Sequence, residues 1–270
     1  MIIDFHTHVY PDKIAKKTVE ALSKNSGYAY YTDGTLNGLK ESMQKSDVDL
    51  SIVLPVQTRV GQFDTINNSA IMMNKENENI ISFGAIHPDE EDIDAKLEYL
   101  KSQGIRGIKI HPDYQETFID DEKYIKVIVK CAELSMLVVT HSGKDPAYDI
   151  VHCPAKRAFN MLSKVESRTN IKEPFIVFAH LGEMENIEDL YKYLIGKNCY
   201  LDISNSFMTL SEEKIVDIIN RHGADKILFA TDSPWNDQKE YIEKVNSLNI
   251  SEKEKRMIFS ENAKRLLNCL

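Results

Sequence analysis

Short apolar runs rich in β-branched residues recur along the chain, and this recurrence constrains the fold more than any other feature. The runs are almost continuously apolar, as expected for parallel strands that are covered on both faces. We predict eight strands, at residues 2–8, 50–56, 80–88, 105–112, 136–143, 175–182, 199–205 and 226–234. Amphipathic stretches separate them, for example 92–103, 121–135, 186–197 and 211–223. The last of these begins with serine and ends with glycine, which are typical helix start and stop residues.

Strand and helix patterns therefore alternate in one series, with no linker or low-complexity tract between them. This alternation predicts an α/β protein whose residues 1–270 form one domain, a single and distorted (β/α)8 TIM barrel. A doubly wound sheet is built from similar units, but it usually carries a glycine-rich phosphate-binding turn after its first strand. A pair of histidines occupies that position here, which favours the barrel.

Composition excludes several classes of function. The formal net charge is −9 and the basic residues are interleaved with acidic ones, so we expect no nucleic-acid partner. No run approaches the roughly 18 apolar residues of a membrane span, and no basic leader precedes the first strand, so we expect a cytoplasmic protein without membrane contact. The four cysteines form no CxxC pair, and we interpret Cys131, Cys153, Cys199 and Cys269 as buried or inert thiols.

Polar side chains stand at the ends of the predicted strands, where a TIM barrel carries its catalytic residues. Six of the eight histidines do so. The polar residues at strand ends are His6, His8, His87, Lys109, His111, His141, His180 and Asp232. Any one of these histidines alone fits a structural role equally well, but their shared placement predicts a site at the C-terminal ends of the strands.

The chemistry of these residue types points to a metal ion. Imidazole nitrogens and a carboxylate oxygen bind Zn²⁺ well, and also Mn²⁺, Fe²⁺ or Co²⁺. A divalent ion with an open position lowers the pKa of water from about 15.7 to about 7. A nearby carboxylate then accepts the proton, and Asp232 is the natural choice for that shuttle. Strand alternation also predicts that Asp4 projects on the same face as His6 and His8.

At these residues the sequence resembles the metal-dependent amidohydrolase superfamily. It is most similar to the amidohydrolase-related (amidohydrolase-2) branch, which includes aminocarboxymuconate semialdehyde decarboxylase and related hydrolases. The matching motifs, in chain order, are IDFHTHVYP (3–11), GIKIHP (107–112), HSG (141–143), HLG (180–182), TDSPW (231–235) and SENAKRLLN (260–268). The resemblance spans the whole chain in the family's order.

The resemblance implies a ligand set for one divalent ion, zinc being the first choice. Its members are His6, His8, His141 and Asp232. It also implies that His180 orients the activated water in mononuclear members, or joins His141 on a second ion in binuclear ones. Lys109 is the one candidate for the bridge of a binuclear centre, although we prefer a charge-balancing role. Asp4 then becomes a structural acid rather than a ligand.

Residues near the strand ends are candidates for substrate recognition. Arg59 follows the second strand and could pair with a substrate carboxylate, and Trp235 follows Asp232 and could wall the pocket. His111 shares a face with Lys109 and is a further candidate, with His87 a weaker one. Weaker candidates still are Tyr10, Lys144 and Asn205, together with segment 25–35 as a lid. Each has an ordinary loop or packing role as its alternative.

Two reactions fit the same ligands. We predict hydrolysis of an amide, lactone or ester in a small molecule by metal-activated water, with nonoxidative decarboxylation of a small aromatic or unsaturated carboxylic acid as the alternative. Decarboxylases of this branch tend to have longer chains, which favours the hydrolase. A phosphoesterase of the PHP type would need a different closing motif than TDSPW, and a noncatalytic scaffold would be expected to lack a ligand. The oligomeric state stays open, a homo-oligomer included.

Overall fold

The computed structural model describes residues 1–183 and 185–268. All strand pairs between these residues are parallel, and they form two sheets, β1-β2-β3 and β4-β5-β6-β7-β8-β9. The strands are β1 Ile3–Thr7, β2 Leu50–Val53, β3 Ile80–Ser82, β4 Gly84–Ala85, β5 Gly107–Ile110, β6 Leu137–Thr140, β7 Ile176–Phe178, β8 Tyr200–Asp202 and β9 Ile227–Leu228.

Backbone hydrogen bonds join the two sheets into a barrel. On one side, Phe83 connects β3 to β4 along the chain, and its N–H donates to the carbonyl of Val53 in β2 at 2.9 Å. On the other side, the Phe5 N–H donates to the Phe229 carbonyl at 2.9 Å, and the Asp232 N–H donates to the His6 carbonyl at 2.8 Å. The first and last strands are therefore neighbours, which confirms the predicted TIM barrel.

The predicted strand 80–88 is wrong in one respect, because it is two short strands. β3 pairs with β2, whereas β4 pairs with β5, so the chain changes its neighbour at Phe83. The Phe83 side chain is fully buried and meets the Phe5 ring edge-on at 6.0 Å. The Phe83 ring therefore packs in the barrel interior at the point where the pairing between strands is interrupted.

Helices cover the outside of the barrel. The predicted helical stretches 92–103, 121–135, 186–197 and 211–223 correspond to α4, α5, α7 and α9. The α-helices of the described ranges are α1 Ala15–Ser26, α2 Leu36–Ser46, α3 Phe63–Glu76, α4 Ile93–Ser102, α5 Glu122–Glu133, α6 Ala155–Glu166, α7 Ile187–Tyr193, α8 Ser206–Thr209, α9 Glu212–His222, α10 Gln238–Ser247, α11 Glu252–Arg256 and α12 Asn262–Asn268. No helix within residues 1–183 and 185–268 has the length and apolar character needed to cross a bilayer.

A register irregularity in β1 changes the predicted orientation of Asp4. The pairing of β1 with β2 shifts between Asp4 and Thr7, so side chains do not alternate strictly there. Asp4 is fully buried and accepts hydrogen bonds from Thr231 and from Gln238 of α10. The prediction that Asp4 shares the face of His6 and His8 is therefore wrong, and its contacts are those of a structural acid. Burial raises the pKa of Asp4 to about 6 against these hydrogen bonds.

The cysteines within the described residues are free and buried. Burial raises the pKa of the thiols of Cys131, Cys153 and Cys199, so they stay protonated at neutral pH. This confirms the prediction of inert thiols for these three. Cys269 lies outside the described residues.

We expect one buried histidine that is not at the C-terminal ends of the strands to make the stability of the fold sensitive to acid. His222 ends α9, its Nε2 lies 2.9 Å from the Cys199 carbonyl, and its Nδ1 accepts the Gly196 N–H at 3.2 Å. Burial lowers its pKa from 6.5 to about 4. The unfolded chain therefore takes up a proton below pH 6.5 while the folded chain does not, and stability falls as the pH falls.

A His222→Gln variant tests this expectation, because a glutamine keeps a donor for the Cys199 carbonyl but does not titrate. Urea unfolding at pH 7 and pH 4.5 should show that the wild type loses roughly 2–3 kcal/mol more than the variant over this interval. Equal losses in the two proteins would contradict the proposed linkage.

Candidate active site

The predicted strand-end residues converge on one cavity of about 700 Å³. Those that line it are His6, His8, Lys109, His111, His141, His180 and Asp232. Each follows or ends a different parallel strand, apart from the pairs that share β1 and β5. Because the strands run parallel, these ends meet at one face of the barrel, where TIM barrels carry their sites.

Three atoms at the floor of the cavity approach one another closely, and we call His6, His8 and Asp232 the donor triad. The Nε2 atoms of His6 and His8 are 3.1 Å apart. Asp232 Oδ1 lies 3.1 Å from His8 Nε2 and 3.4 Å from His6 Nε2. Ligands of a tetrahedral zinc ion with bonds of 2.0–2.1 Å are separated by about 3.3 Å, so the spacing of the triad fits such an ion.

The second nitrogen of each histidine explains why these atoms point at one another. His8 Nδ1 lies 2.7 Å from the Leu54 carbonyl, and His6 Nδ1 lies 2.8 Å from Asp202 Oδ2. Both partners only accept hydrogen bonds, so we assign the ring protons to Nδ1, which leaves lone pairs on both Nε2 atoms. Two lone pairs and a carboxylate oxygen then face each other, and only a cation or a donor between them makes this arrangement favourable.

Electrostatics keep His6 and Asp232 of the triad in the forms that bind a metal ion. Burial, and to a smaller extent Lys109, lowers the pKa of His6 to about 4 against the nearby carboxylates. Burial alone would raise the pKa of the Asp232 carboxyl, but His6 and His8 hold that pKa well below its ordinary value. At neutral pH the His6 imidazole is therefore neutral and Asp232 is ionised, as metal binding requires.

Lys109 supplies a positive charge beside the triad. Its Nζ lies 3.2 Å from His6 Nε2, and its side chain is almost completely buried on β5. Burial lowers its pKa to about 8, while Asp202 and Asp232 oppose the shift. These contacts are those of an amine that balances charge, which is the role preferred for Lys109 from the sequence.

His141 and His180 lie next to each other but have different neighbours. His180 Nε2 is 3.1 Å from His141 Nδ1, and His180 Nδ1 is 2.8 Å from the Ser204 hydroxyl. His141, His111 and Asp145 have ligand atoms within 4.8 Å of one another, so His141 groups with these two residues rather than with the triad. The imidazoles of His111 and His141 stack in parallel at 4.1 Å and 7°.

The outer nitrogen of His141 faces a buried aspartate. Within the described residues, neither His141 Nε2 nor Asp113 Oδ2 has a hydrogen-bond partner, and they lie 3.7 Å apart. The other oxygen of Asp113 accepts the backbone N–H of His152 at 2.7 Å and lies 2.9 Å from its ring Nδ1. His152 thereby holds Asp113 in place, with Asp113 Oδ2 beside His141 Nε2.

Several site residues adopt strained backbone conformations. His180, Asn205 and Asp232 have φ angles of 57°, 59° and 59°, in the left-handed region that non-glycine residues rarely occupy. Asn205 Nδ2 donates to Asp232 Oδ2 at 2.7 Å, which fixes the carboxylate. Such strain costs about 1–3 kcal/mol for each residue and tends to occur at functional sites.

The remaining sequence candidates divide into two groups. Those that line the cavity are Tyr10, His111, Lys144, Asn205 and Trp235, together with Asn25, Ser26 and Tyr28 of the segment 25–35. Arg59 is exposed and lies outside the lining, and His87 is buried outside it, where its Nδ1 accepts the Asp89 N–H. The structure therefore brings neither Arg59 nor His87 to the cavity.

Sequence reasoning missed Asp202, which contacts two site histidines at once. Its Oδ2 binds His6 Nδ1, and its Oδ1 accepts the His180 N–H at 3.0 Å and the Ser204 hydroxyl. Burial would raise its pKa, but His6 above all lowers it well below the ordinary value. An aspartate inside the apolar run 199–205 was the available signal, because a buried acid needs partners.

The whole chain matches a model of the amidohydrolase family, in the amidohydrolase-2 branch, over residues 3–269. The chain belongs to the amidohydrolase family. The family is one of metal-dependent enzymes, and the motifs that carry the sequence resemblance include all three residues of the donor triad. No curated protein matches the sequence of this amidohydrolase.

Solved structures share the fold of this amidohydrolase at low sequence identity. An uncharacterised TIM-barrel protein from Bordetella bronchiseptica has 17% identity and a TM-score of 0.76, over 99% of this chain and 98% of the other. A dihydroxybenzoic acid decarboxylase from a Polaromonas species, with bound manganese and the inhibitor 2-nitroresorcinol, has 16% identity and a TM-score of 0.74, over 99% and 96%. A probable 2-pyrone-4,6-dicarboxylic acid hydrolase from Acinetobacter baumannii, with citric acid bound, has 15% identity and a TM-score of 0.68, over 99% of each chain.

The amidohydrolase should gain stability from divalent metal. Adding Zn²⁺ or Mn²⁺ to metal-stripped protein, at about 100 times the dissociation constant, should add about 2.7 kcal/mol to the free energy of unfolding. For a chain of this size that raises Tm by about 5–10 °C. A thermal melt measures the shift, and His8→Ala should abolish it. An equal shift in the variant would place the metal elsewhere.

Proposed function

We propose that residues 1–270 act as one metal-dependent hydrolase domain that cleaves an amide, lactone or ester bond in a small molecule. The observation that carries the proposal is the donor triad, where two imidazole lone pairs and an ionised carboxylate converge at the floor of the cavity. Zn²⁺ is our first choice of ion, with Mn²⁺, Fe²⁺ or Co²⁺ as alternatives.

His6, His8 and Asp232 would hold the ion, with His141 as the fourth ligand. When bound, the ion activates a water molecule and polarises the scissile carbonyl. We propose a single tightly held ion, since Lys109 Nζ lies 3.2 Å from His6 Nε2, where its positive charge balances Asp202 and Asp232. A second ion beside His141 and His180 would need a group that bridges the two ions, and the Lys109 ammonium group does not supply one.

Asp232 is proposed as the proton shuttle. Its low pKa keeps it ionised at neutral pH, and Asn205 fixes its outer oxygen through a 2.7 Å hydrogen bond. The carboxylate is therefore held ready to take a proton from water and return it to the leaving group.

His180 is proposed to orient the water. The Ser204 hydroxyl donates to Asp202 and lies 2.8 Å from His180 Nδ1, so it accepts the proton that we assign to this nitrogen. Nε2 of His180 is then left as an acceptor that faces His141 and the cavity. Burial, the largest cause, lowers the pKa of His180, which keeps the ring neutral.

The charges around the cavity favour hydrolysis over decarboxylation. No arginine lines the cavity in the described part of the chain, and its cationic lining residues are Lys109 and Lys144. Lys109 Nζ already lies 3.2 Å from His6 Nε2 and interacts electrostatically with Asp202 and Asp232, and the half-exposed Lys144 lies 3.9 Å from Glu185. A substrate carboxylate away from the ion thus has little to bind it, whereas a neutral ester, amide or lactone needs no such partner.

Decarboxylation of a small aromatic or unsaturated acid remains the second candidate. The Polaromonas structure, which is that of a dihydroxybenzoic acid decarboxylase, supports it. The match reaches 96% of that chain, so chain length gives no reason to prefer the hydrolase. The ion itself would then have to bind the substrate carboxylate.

A paired isotope and gas assay distinguishes the two reactions. Metal-loaded protein is incubated in H₂¹⁸O with neutral esters, lactones and amides, and separately with hydroxylated benzoic acids. We expect ¹⁸O in the product acid and no release of CO₂. Release of CO₂ without ¹⁸O incorporation would overturn the hydrolase proposal, and His8→Ala serves as the inactive control for both.

A further inference from the structure

The cavity extends well beyond the donor triad into a region of different character. Its volume of about 700 Å³ lies in the range of pockets that enclose a drug-sized ligand, which is far more than a scissile carbonyl group requires. Helices α1, α2 and α3 contribute to its lining at residues remote in sequence from the triad. We call this part of the cavity the helical arm.

Apolar side chains dominate the helical arm. Its apolar members are Val9, Leu22, Leu36, Val56, Ile66, Ala70 and Met73. All except Ala70 are partly exposed and line the cavity, although Val9, Leu36 and Met73 also pack against the hydrophobic core. Surface of this kind is stabilised when an apolar group of a ligand displaces water from it.

The helical arm also has no charge of its own. The residues that α1 contributes are Thr18, Leu22, Asn25 and Ser26, and those from α3 are Thr65, Ile66, Ser69, Ala70 and Met73. The charged lining residues are Asp12, Lys109, Lys144, Asp145 and Asp232, which belong to loops or strands. A charged group placed in the arm would lose hydration without gaining a partner, so the arm selects against it.

We propose that the substrate carries an uncharged alkyl limb next to its scissile bond, and that this limb lies in the helical arm between α1 and α3. The inference rests on the proposed hydrolase function, since it names the substrate class of that site. The continuity of the arm with the triad in one cavity is what joins the limb to the reacting group. The substrate is thus a neutral, medium-chain ester, amide or lactone rather than a small dicarboxylic acid.

Two matched series of esters test the proposal on the metal-loaded, full-length protein. One series consists of methyl esters of C2 to C8 straight-chain acids, and the other of acetates of C1 to C8 alcohols, with acid release followed by pH-stat. In at least one series kcat/KM should rise with chain length, by up to about fourfold for each methylene that is buried. Flat profiles in both series, or a higher kcat/KM for an ester with a terminal carboxylate on its limb, would overturn the proposal.

A matched pair of variants on α3 locates the limb. Ile66 lines the cavity, whereas Met72 on the same helix is 49% exposed and does not. Ile66→Asp should lower kcat/KM for the longest preferred ester by at least tenfold and leave methyl acetate within twofold, while Met72→Asp changes neither. Should Ile66→Asp fail to fold in a thermal melt, Ile66→Thr should give a smaller loss with the same chain-length dependence. Equal losses for short and long esters would overturn the assignment.

A binding measurement separates failure of this inference from failure of the hydrolase proposal. Trp235 is the only tryptophan in the chain and lines the cavity, so its fluorescence reports on occupancy. Titration with 1-octanol should change the emission saturably, with 1-butanol at least tenfold weaker and Ile66→Asp weakened, whether or not any ester is hydrolysed. Octanol binding without hydrolysis would support limb binding in the helical arm and contradict the hydrolase proposal. Hydrolysis without chain-length preference or octanol binding would support the hydrolase proposal and contradict limb binding in the arm.

Discussion

Asp232→Asn should reduce kcat/KM by about 10²–10⁴-fold, because an amide cannot take up the proton that the carboxylate shuttles. A second effect adds to this loss. If the carbonyl of the new amide keeps the hydrogen bond from Asn205, its NH₂ group points at the Nε2 lone pairs of His6 and His8. The amide then donates to the atoms that should bind the ion. We therefore expect the variant to lose bound metal as well as activity.

Steady-state kinetics with a neutral ester and metal analysis of the purified variant measure the two effects. Asp12→Asn is the matched control, because Asp12 also lines the cavity but belongs to no group of ligand atoms that lie within 4.8 Å of one another among the described residues. It should keep its metal and most of its activity. Full activity of Asp232→Asn with normal metal content would contradict both the ligand and the shuttle role.

Asp202→Asn should weaken metal binding by about 10–100-fold, although Asp202 is not a member of the triad. The amide oxygen can replace Oδ1, which accepts from the His180 N–H and from Ser204. Its NH₂ group then takes the place of Oδ2 and faces His6 Nδ1. Two donors cannot share this contact, so the His6 proton moves to Nε2 and blocks the lone pair that should bind the ion.

Competition with a chelator measures the affinity, and kinetics at rising metal concentration test the mechanism. The changed His6 tautomer lowers the affinity for the metal ion. Activity should therefore recover as the protein approaches saturation with metal. Asp237→Asn, which exchanges one good cap of α10 for another, is the control and should leave both quantities unchanged. Lost activity with unaltered metal affinity would show that Asp202 acts in some other way.

The barrel and the floor of its site could be predicted from the sequence for simple physical reasons. Parallel strands that are buried on both faces leave apolar runs, so a polar residue at the end of a run stands out. His6, His8 and Asp232 were found in this way and lie within 3.4 Å of one another. The same signal identified Lys109 and His180.

Features that depend on packing between distant segments left no such signal. The division of strand 80–88 follows from a change of neighbour at Phe83, and the orientation of Asp4 from a register irregularity in β1. Arg59 follows a strand end like the site residues, but the loop that carries it faces solvent. His141 was expected with the triad, and its grouping with His111 and Asp145 depends on how the loops after β5 and β6 pack.

The neighbouring positions of β1 and β9 have a consequence for the order of events during synthesis. His6 and His8 are synthesised 226 and 224 residues before Asp232. The hydrogen bonds that bring Asp232 to His6 cannot form before that strand arrives. A nascent or C-terminally shortened polypeptide should therefore carry two histidines without their carboxylate and hold metal weakly. Tight metal retention thus reports that the last strand has docked.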